Sequence, residues 1–387
     1  LLQYAITFRK LLFMTSANAQ FELESGDRPM TPDFARMDQA TTYRASTLAK
    51  PVGMGDILFF PATSEGSGVV YEYYFQDTSF SNTALDISRH VRTYIGNDVL
   101  EMATDPAAQT LFVLTTAEQN SLFVYRTYFD GGDKLQSAWS RYTFGATEAD
   151  TFIHGIATFS SYLHMVVERA DGNIYLERMP IEREAIATGM PYMPLLDQRV
   201  ALTGSYDAGT NLTTWTTTWD HADDAGVVLG ASGAIPGRTL QVAYPTATTI
   251  TAVNDHSAAA AYVGRKYTMN VQLSKIYPSE EGNPIVTGRL QLQDVTVLYA
   301  NTGYFEIKVT PDGGRAAKSY KFEGKTLGDS GTEIDEPSIA TQGFFGHKKI
   351  MSRADTVQIE IINDKPEPCV ITSLQWRGFF NETGRGK

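Results

Sequence analysis

Four apolar hairpins recur through the first half of this chain at intervals of 46, 53 and 52 residues, and few folds accommodate such a repeat. They are Leu12-Phe13-Met14 with Phe21-Glu22-Leu23, Ile57-Leu58-Phe59-Phe60 with Val70-Tyr71-Glu72-Tyr73, Leu111-Phe112-Val113-Leu114 with Leu122-Phe123-Val124-Tyr125-Arg126, and Leu163-His164-Met165-Val166 with Ile174-Tyr175-Leu176-Glu177-Arg178. The last two superpose without a gap. Turn-forming residues stand between the paired runs: Ala17-Asn18, Gly66-Ser67-Gly68, Glu118-Gln119-Asn120 and Asp171-Gly172-Asn173, the last an Asp-Gly hairpin signal. A period near 50 with strands and no helices matches one four-stranded blade per repeat, so residues 1–197 read as blades of a partial β-propeller. A string of antiparallel hairpins in a sandwich is the competing reading, and four repeats leave ring closure open.

Past Pro191-Tyr192-Met193-Pro194 the pattern changes to short Thr-rich strands, Leu212 to Trp219 and Thr239 to Ala243. From Gly288 the strands lengthen. Arg289 to Tyr299 and Tyr304 to Thr310 flank an expected turn at Ala300-Asn301-Thr302-Gly303, and Thr356 to Ile362 and Val370 to Phe379 follow. Residues 198–387 therefore read as one or two β-sandwich or barrel-like modules, a platform-like region, with Gly324 to Gly343 as loop and Gly384-Arg385-Gly386-Lys387 as a mobile tail. The expected fold class is all-β. Composition agrees: 20 Tyr, 20 Phe and 32 Gly favour strands and tight turns, and 387 residues with 42% hydrophobic content suffice for two or more domains.

Charge limits the partners. The 32 Lys+Arg against 44 Asp+Glu give a net charge of -12, which argues against tight nucleic-acid binding through clustered cations. The single cysteine, Cys369, excludes an internal disulfide framework and suits a reducing cytoplasm; a buried structural thiol is expected. No apolar run approaches the roughly 20 residues that cross a bilayer, so no membrane segment is expected. The opening Leu1-Leu2-Gln3-Tyr4-Ala5-Ile6 carries no secretion signal and begins within an apparent strand, as expected of a piece of a longer polypeptide or a processed product.

Catalytic constellations fail on a required partner. Gly328-Asp329-Ser330-Gly331 is similar to a serine-protease nucleophile loop, yet Thr332 follows it and no upstream His sits in a suitable context for a base. The histidines, His90, His154, His164, His221, His256 and His347, include no pair at metal-binding helical spacing. Asp130-Gly131-Gly132-Asp133 lacks the further ligands of a calcium loop and reads as a turn. Glu168, Glu177, Glu182 and Glu184 are the candidates for a glycosidase pair, whose carboxyls must stand roughly 5 to 10 Å apart. Trp215 and Trp219 could stack on a sugar, although core or interface packing is the stronger expectation. No catalytic, cofactor-binding or metal-binding residue is assigned, and no cofactor is expected.

Several stretches, in order, resemble the tail tubular protein B, or nozzle protein, family of short-tailed bacteriophages. Phe75-Gln76-Asp77 followed by Asp86-Ile87-Ser88-Arg89-His90-Val91 is similar to a strand exit and "D-I-T-x-H-V" segment. Tyr125 to Phe144 resembles a blade ending "K-x-Q-x-A-W-S-x-W-x-F", with Tyr142 in place of the usual Trp. Gly288 to Leu292, Val295-Thr296-Val297 and Thr302-Gly303-Tyr304-Phe305 look like the family's C-terminal strand pair, and Ser373 to Asn381 resembles its closing "S-x-x-W-x-G-x-Y-N". Full-length members are much longer, so the match is to roughly their C-terminal half.

The resemblance implies a non-enzymatic structural virion protein. Six copies would form the distal tube of the tail, meeting the tail adaptor (tubular protein A) ring and the tail fibres, and the double-stranded DNA genome would leave through it without sequence-specific binding. Assembly would take place in the host bacterial cytoplasm. A tail-associated propeller glycan hydrolase and a carbohydrate-binding adhesin are the alternatives.

Overall fold

The computed structural model describes every residue except 1, 9–10, 16–17, 26–27, 30, 65, 77–80, 131–132, 146, 222, 281–282, 286–287, 325–335 and 383–387. Its described residues are almost wholly β, with one helical turn at Arg92–Ile95. The chain divides into two compact units, Leu1–Arg183 and Glu184–Lys387.

Four antiparallel sheets make up the first unit, each with its strands neighbouring in chain order. The first contains Tyr4–Phe8, Leu11–Thr15, Gln20–Glu24 and Arg36–Thr41, and the second Val52–Met54, Ile57–Ser64, Ser67–Gln76 and Ser81–Asp86. The third contains Val99–Asp105, Thr110–Thr115, Ser121–Asp130 and Asp133–Thr143, and the fourth only Thr151–Phe159, Tyr162–Arg169 and Ile174–Pro180. The hairpins anticipated from the sequence are the pairings of second and third strands. Phe13 opposes Glu22, Phe59 opposes Glu72, Phe112 opposes Val124, and Met165 opposes Glu177. Gly66 and Gly172 turn two of them with φ of +77° and +75°, a region glycine enters without steric cost.

The apolar runs are uninterrupted because both faces of the middle sheets are covered. Every residue of Thr110–Thr115 is buried. Leu111 and Val113 share a core with Phe59 and Val70 of the second sheet, while Phe112 and Leu114 share another with Leu163, Met165 and Val167 of the fourth. Phe8 of the first sheet packs with Leu58, Phe60 and Tyr73 of the second. The four sheets are thus stacked face to face in chain order. Burying a side chain such as Phe112 contributes about 1.5–3 kcal/mol, so the stack is held chiefly by these interleaved runs.

In the second unit, two pairs of sheets each enclose a core. Asp197–Thr203, Ala260–Arg265 and Ala225–Leu229 face Ser205–Asp207, Leu212–Thr216, Thr249–Val253 and Ala243–Thr246 across Trp215, Trp219, Val227, Ile250 and Val263. Gly204 lies flat against this core, where a Cβ would meet Thr213 Cγ2 at 2.4 Å and the Trp215 ring at 2.9 Å. The second pair sets Ala340–Arg353, Gly288–Thr302 and Ile371–Glu382 against Met269–Gln272, Gln358–Asn363, Phe305–Thr310 and Lys318–Phe322. Leu292, Val295, Val297, Phe305, Ile307 and Ile361 fill its core.

Three expectations for this half change. The segment Ala300 to Gly303 does not close a hairpin: Gly288–Thr302 pairs with Ala340–Arg353 and Ile371–Glu382, whereas Phe305–Thr310 pairs in the opposite sheet. The first strand already has neighbours on both edges, and Phe305, Ile307 and Val309 reach the core from the other layer. The strand at Leu212 stops at Thr216, and Thr239 to Ala243 is not a strand of its own: Thr239 bridges to Val228, and Ala243 begins the strand Ala243–Thr246. The supposed loop from Gly324 to Gly343 overlaps the strand Ala340–Arg353, and its residues 325–335, with the protease-like Gly328-Asp329-Ser330-Gly331, lie outside the described residues, as does the 384–387 tail.

Candidate assembly surface

The family-like stretches of the first half build a lock between the second and third sheets. Asp86 Oδ1 accepts the backbone N–H and hydroxyl of Ser88 at 3.0 and 2.7 Å, and Oδ2 accepts Arg92 Nη2 at 2.8 Å. Ser88 Oγ in turn accepts the Val70 amide at 3.1 Å, and the Ile87 amide donates to the Val70 carbonyl. This fixes the Ile87 carbonyl, which accepts the indole N–H of Trp139 at 2.9 Å. The Trp139 and Tyr125 rings lie 5.0 Å apart beside it. The Asp-Ile-Ser and Ala-Trp-Ser segments are halves of one structural contact.

A charged contact that sequence spacing gave no sign of stands nearby. Lys134, on the outer strand of the third sheet, reaches both carboxylate oxygens of Glu72 on the second, and Glu72 is 3% exposed.

Three of the four candidate glutamates are engaged in ion pairs. Glu168 pairs with His154 at 2.9 Å, Glu177 with Arg169 at 2.5 Å, and Glu184 with Arg199, while Glu182 is exposed. An open cleft of about 290 Å³ lies beside Glu148, Phe152, His154, Glu168 and Arg169; there Glu148 accepts the Gln119 amide at 2.7 Å. Each of its two carboxylates thus has one hydrogen-bond partner, Glu148 at Oε1 and Glu168 at Oε2. Trp215 is fully buried and Trp219 is 7% exposed, so they are core residues and the sugar platform is ruled out for them. Asp130 opposes Asp133 as the last pair of a hairpin, its glycines lying outside the described residues. Among the described residues no group of three or more His, Cys, Asp or Glu could hold a metal ion, and no helix is long and apolar enough to cross a membrane. Cys369 is half-buried, and burial pushes its thiol up to about 11.

What the surface does offer is exposed apolar side chains on sheet faces, a mark of interaction sites. The fourth sheet presents Phe159, Ile174 and Leu176, and the last of these is 76% exposed. The C-terminal sheet presents Phe344 and Phe379 on the face away from its core. Between them on that face Asp294 accepts Arg377 Nε at 3.1 Å and Nη2 at 2.5 Å, and His347 Nδ1 lies 3.1 Å from Arg377 Nη2. The guanidinium holds the Asp294 carboxyl below the usual range, and Asp294 raises Arg377 in return. The sequence signal for this pair is a lone Asp within the apolar strand Leu290 to Tyr299.

The all-β architecture, with exposed apolar side chains on its sheet faces and with Glu168, Glu177 and Glu184 held in ion pairs, fits a structural protein. Residues 1–386 match the family described as Bacteriophage nozzle protein, and the chain belongs to that family, a structural one of phage tails and not an enzyme family. The chain is 24% identical, over its whole length, to the "Tail tubular protein gp12" of Escherichia phage T7. It covers 49% of that protein, so it spans about half the length of this curated relative. Among solved structures, a protein titled "Glycoside hydrolase" gives a TM-score of 0.23 at 10% identity over 96% of both chains. Trypanosoma rangeli sialidase gives 0.22 at 8% identity over 94% of this chain and 91% of that one. Likenesses this weak carry no argument.

Proposed function

We propose that this chain is a building block of the distal tail tube of a short-tailed phage, in which about six copies form a ring and double-stranded DNA leaves the virion through its channel. The observation that carries this reading is the family match across residues 1–386. In this reading the stacked sheets of the first half are propeller blades, residues 1–197 forming the blade region and 198–387 a platform-like region. The ring meets the tail adaptor ring and supports fibre attachment, and it is assembled in the host cytoplasm before becoming part of the virion.

Charge supports the reading. A channel wall making roughly six to ten phosphate contacts per copy would hold DNA by many orders of magnitude and arrest it. A chain with a net charge of -12 avoids that trap. Face-to-face apolar sheets suit a permanent ring, and head-to-tail contacts close when the rotation between copies divides a full turn.

Electron microscopy of the purified assembly tests it. A closed ring with a channel wide enough for duplex DNA is expected; a single copy at every concentration would refute it.

A further inference from the structure

The three strands of the C-terminal sheet, Gly288–Thr302, Ala340–Arg353 and Ile371–Glu382, carry a charge opposite to that of the chain. They hold five cations, Arg289, Lys348, Lys349, Arg353 and Arg377, against Asp294 and Glu382. Elsewhere acid dominates: residues 1–183 alone have 14 basic against 22 acidic side chains.

Register sorts these cations by face. Gln291 opposes Arg353 and Phe379, Asp294 opposes Lys349 and Arg377, and Leu298 opposes Phe344, all on the side away from the core residues Leu292, Val295 and Val297. Arg289, two positions before Gln291, shares that side. Arg353 is tied to Asp355 and Arg377 to Asp294, but Arg289 and Lys349 are exposed and have no ion-pair partner among the described residues. Phe344 is 69% exposed and Phe379 is 61% exposed. The nearly buried Asp294 holds Arg377 on the face through three hydrogen bonds, so this arginine is oriented before any partner arrives. Oriented arginine between aromatic side chains is the composition of interface centres.

We propose that this outer face of the C-terminal sheet is where a second copy of the chain docks, through that copy's acidic surface. The occupant follows from charge. A cationic face on an otherwise acidic chain is complementary to the rest of its own kind, and joining unlike surfaces makes the contact head-to-tail, the type that closes rings. The inference rests on the ring reading above and gives it a surface. DNA is the less favoured occupant because two free cations supply too few phosphate contacts for the salt-resistant hold of a binding site.

The test uses the full chain. Arg289→Glu with Lys349→Glu reverses the free charge, and Phe344→Ser with Phe379→Ser removes the apolar anchors. Each pair is expected to weaken assembly, read by light scattering against concentration, on the order of tenfold or more, with the melting temperature of the single copy unchanged. Phe344→Cys in a Cys369→Ser background, labelled with a photo-crosslinker, keeps the proposal testable if those variants misfold. It is expected to join two copies, with the mapped peptide in an acidic segment of the second. If the wild type forms rings and the variants form them equally well, the face is wrong and the ring reading stands. If the wild type never associates, the ring reading fails and the docking with it. Loss of binding to a double-stranded oligonucleotide with rings intact would assign the face to DNA and overturn the proposal.

Discussion

Trp139 donates its indole N–H to the backbone carbonyl of Ile87, 2.9 Å away on the exit of the neighbouring sheet, and so joins two segments 52 residues apart. Trp139→Phe keeps most of the ring's packing but leaves that carbonyl without its donor. The expected cost is about 0.5–1.5 kcal/mol, measured by denaturant unfolding. Trp139→Phe combined with Ser88→Ala should be non-additive, because Ser88 positions the carbonyl through Val70.

Lys134→Met removes the cation from a buried carboxylate. Breaking such a pair costs about 3–5 kcal/mol, and Glu72→Gln in the same chain should restore much of the loss, since the remaining group is neutral. Thermal melts of the two single variants and the double variant check this.

Phe112→Ala should destabilise the first unit by about 3–5 kcal/mol, because Phe112 is fully buried between the third and fourth sheets. Trp215→Ala should cost a similar amount in the second unit, where the tryptophan has no surface to offer a sugar.

Asp171 should titrate at about 2, measured by carboxyl NMR. The Tyr175 hydroxyl donates to it at 2.6 Å, and Asn173 donates through its side chain and backbone. Tyr175→Phe should move it back towards the usual 3.8. A folded value below the unfolded one means that the stabilising contribution is complete above the unfolded value and disappears as pH falls through about 2.

Much of the first unit was legible in the sequence because its middle sheets have a core on each face. Runs such as Leu111 to Leu114 are therefore apolar at every position, and their spacing gives the sheet period. The second unit was less legible. Tyr304 to Thr310 has the alternation of a hairpin partner for Arg289 to Tyr299, and only the crowding of both edges of the longer strand sends it to the opposite layer. Of the charged contacts, Lys134 with Glu72 and Arg377 with Asp294 join residues 62 and 83 positions apart, beyond any local spacing rule. The aromatic anchors Phe344 and Phe379 were hidden differently: exposure, not residue type, marks them, and exposure is known only once the register is fixed.

On the reading proposed above, this chain is one segment of a tube. Mass and image of the purified protein test this together: a closed ring of about six copies around an opening that admits duplex DNA is expected. A monomer at all concentrations, or a ring whose opening is lined with arginine and retains DNA at physiological salt, would contradict it.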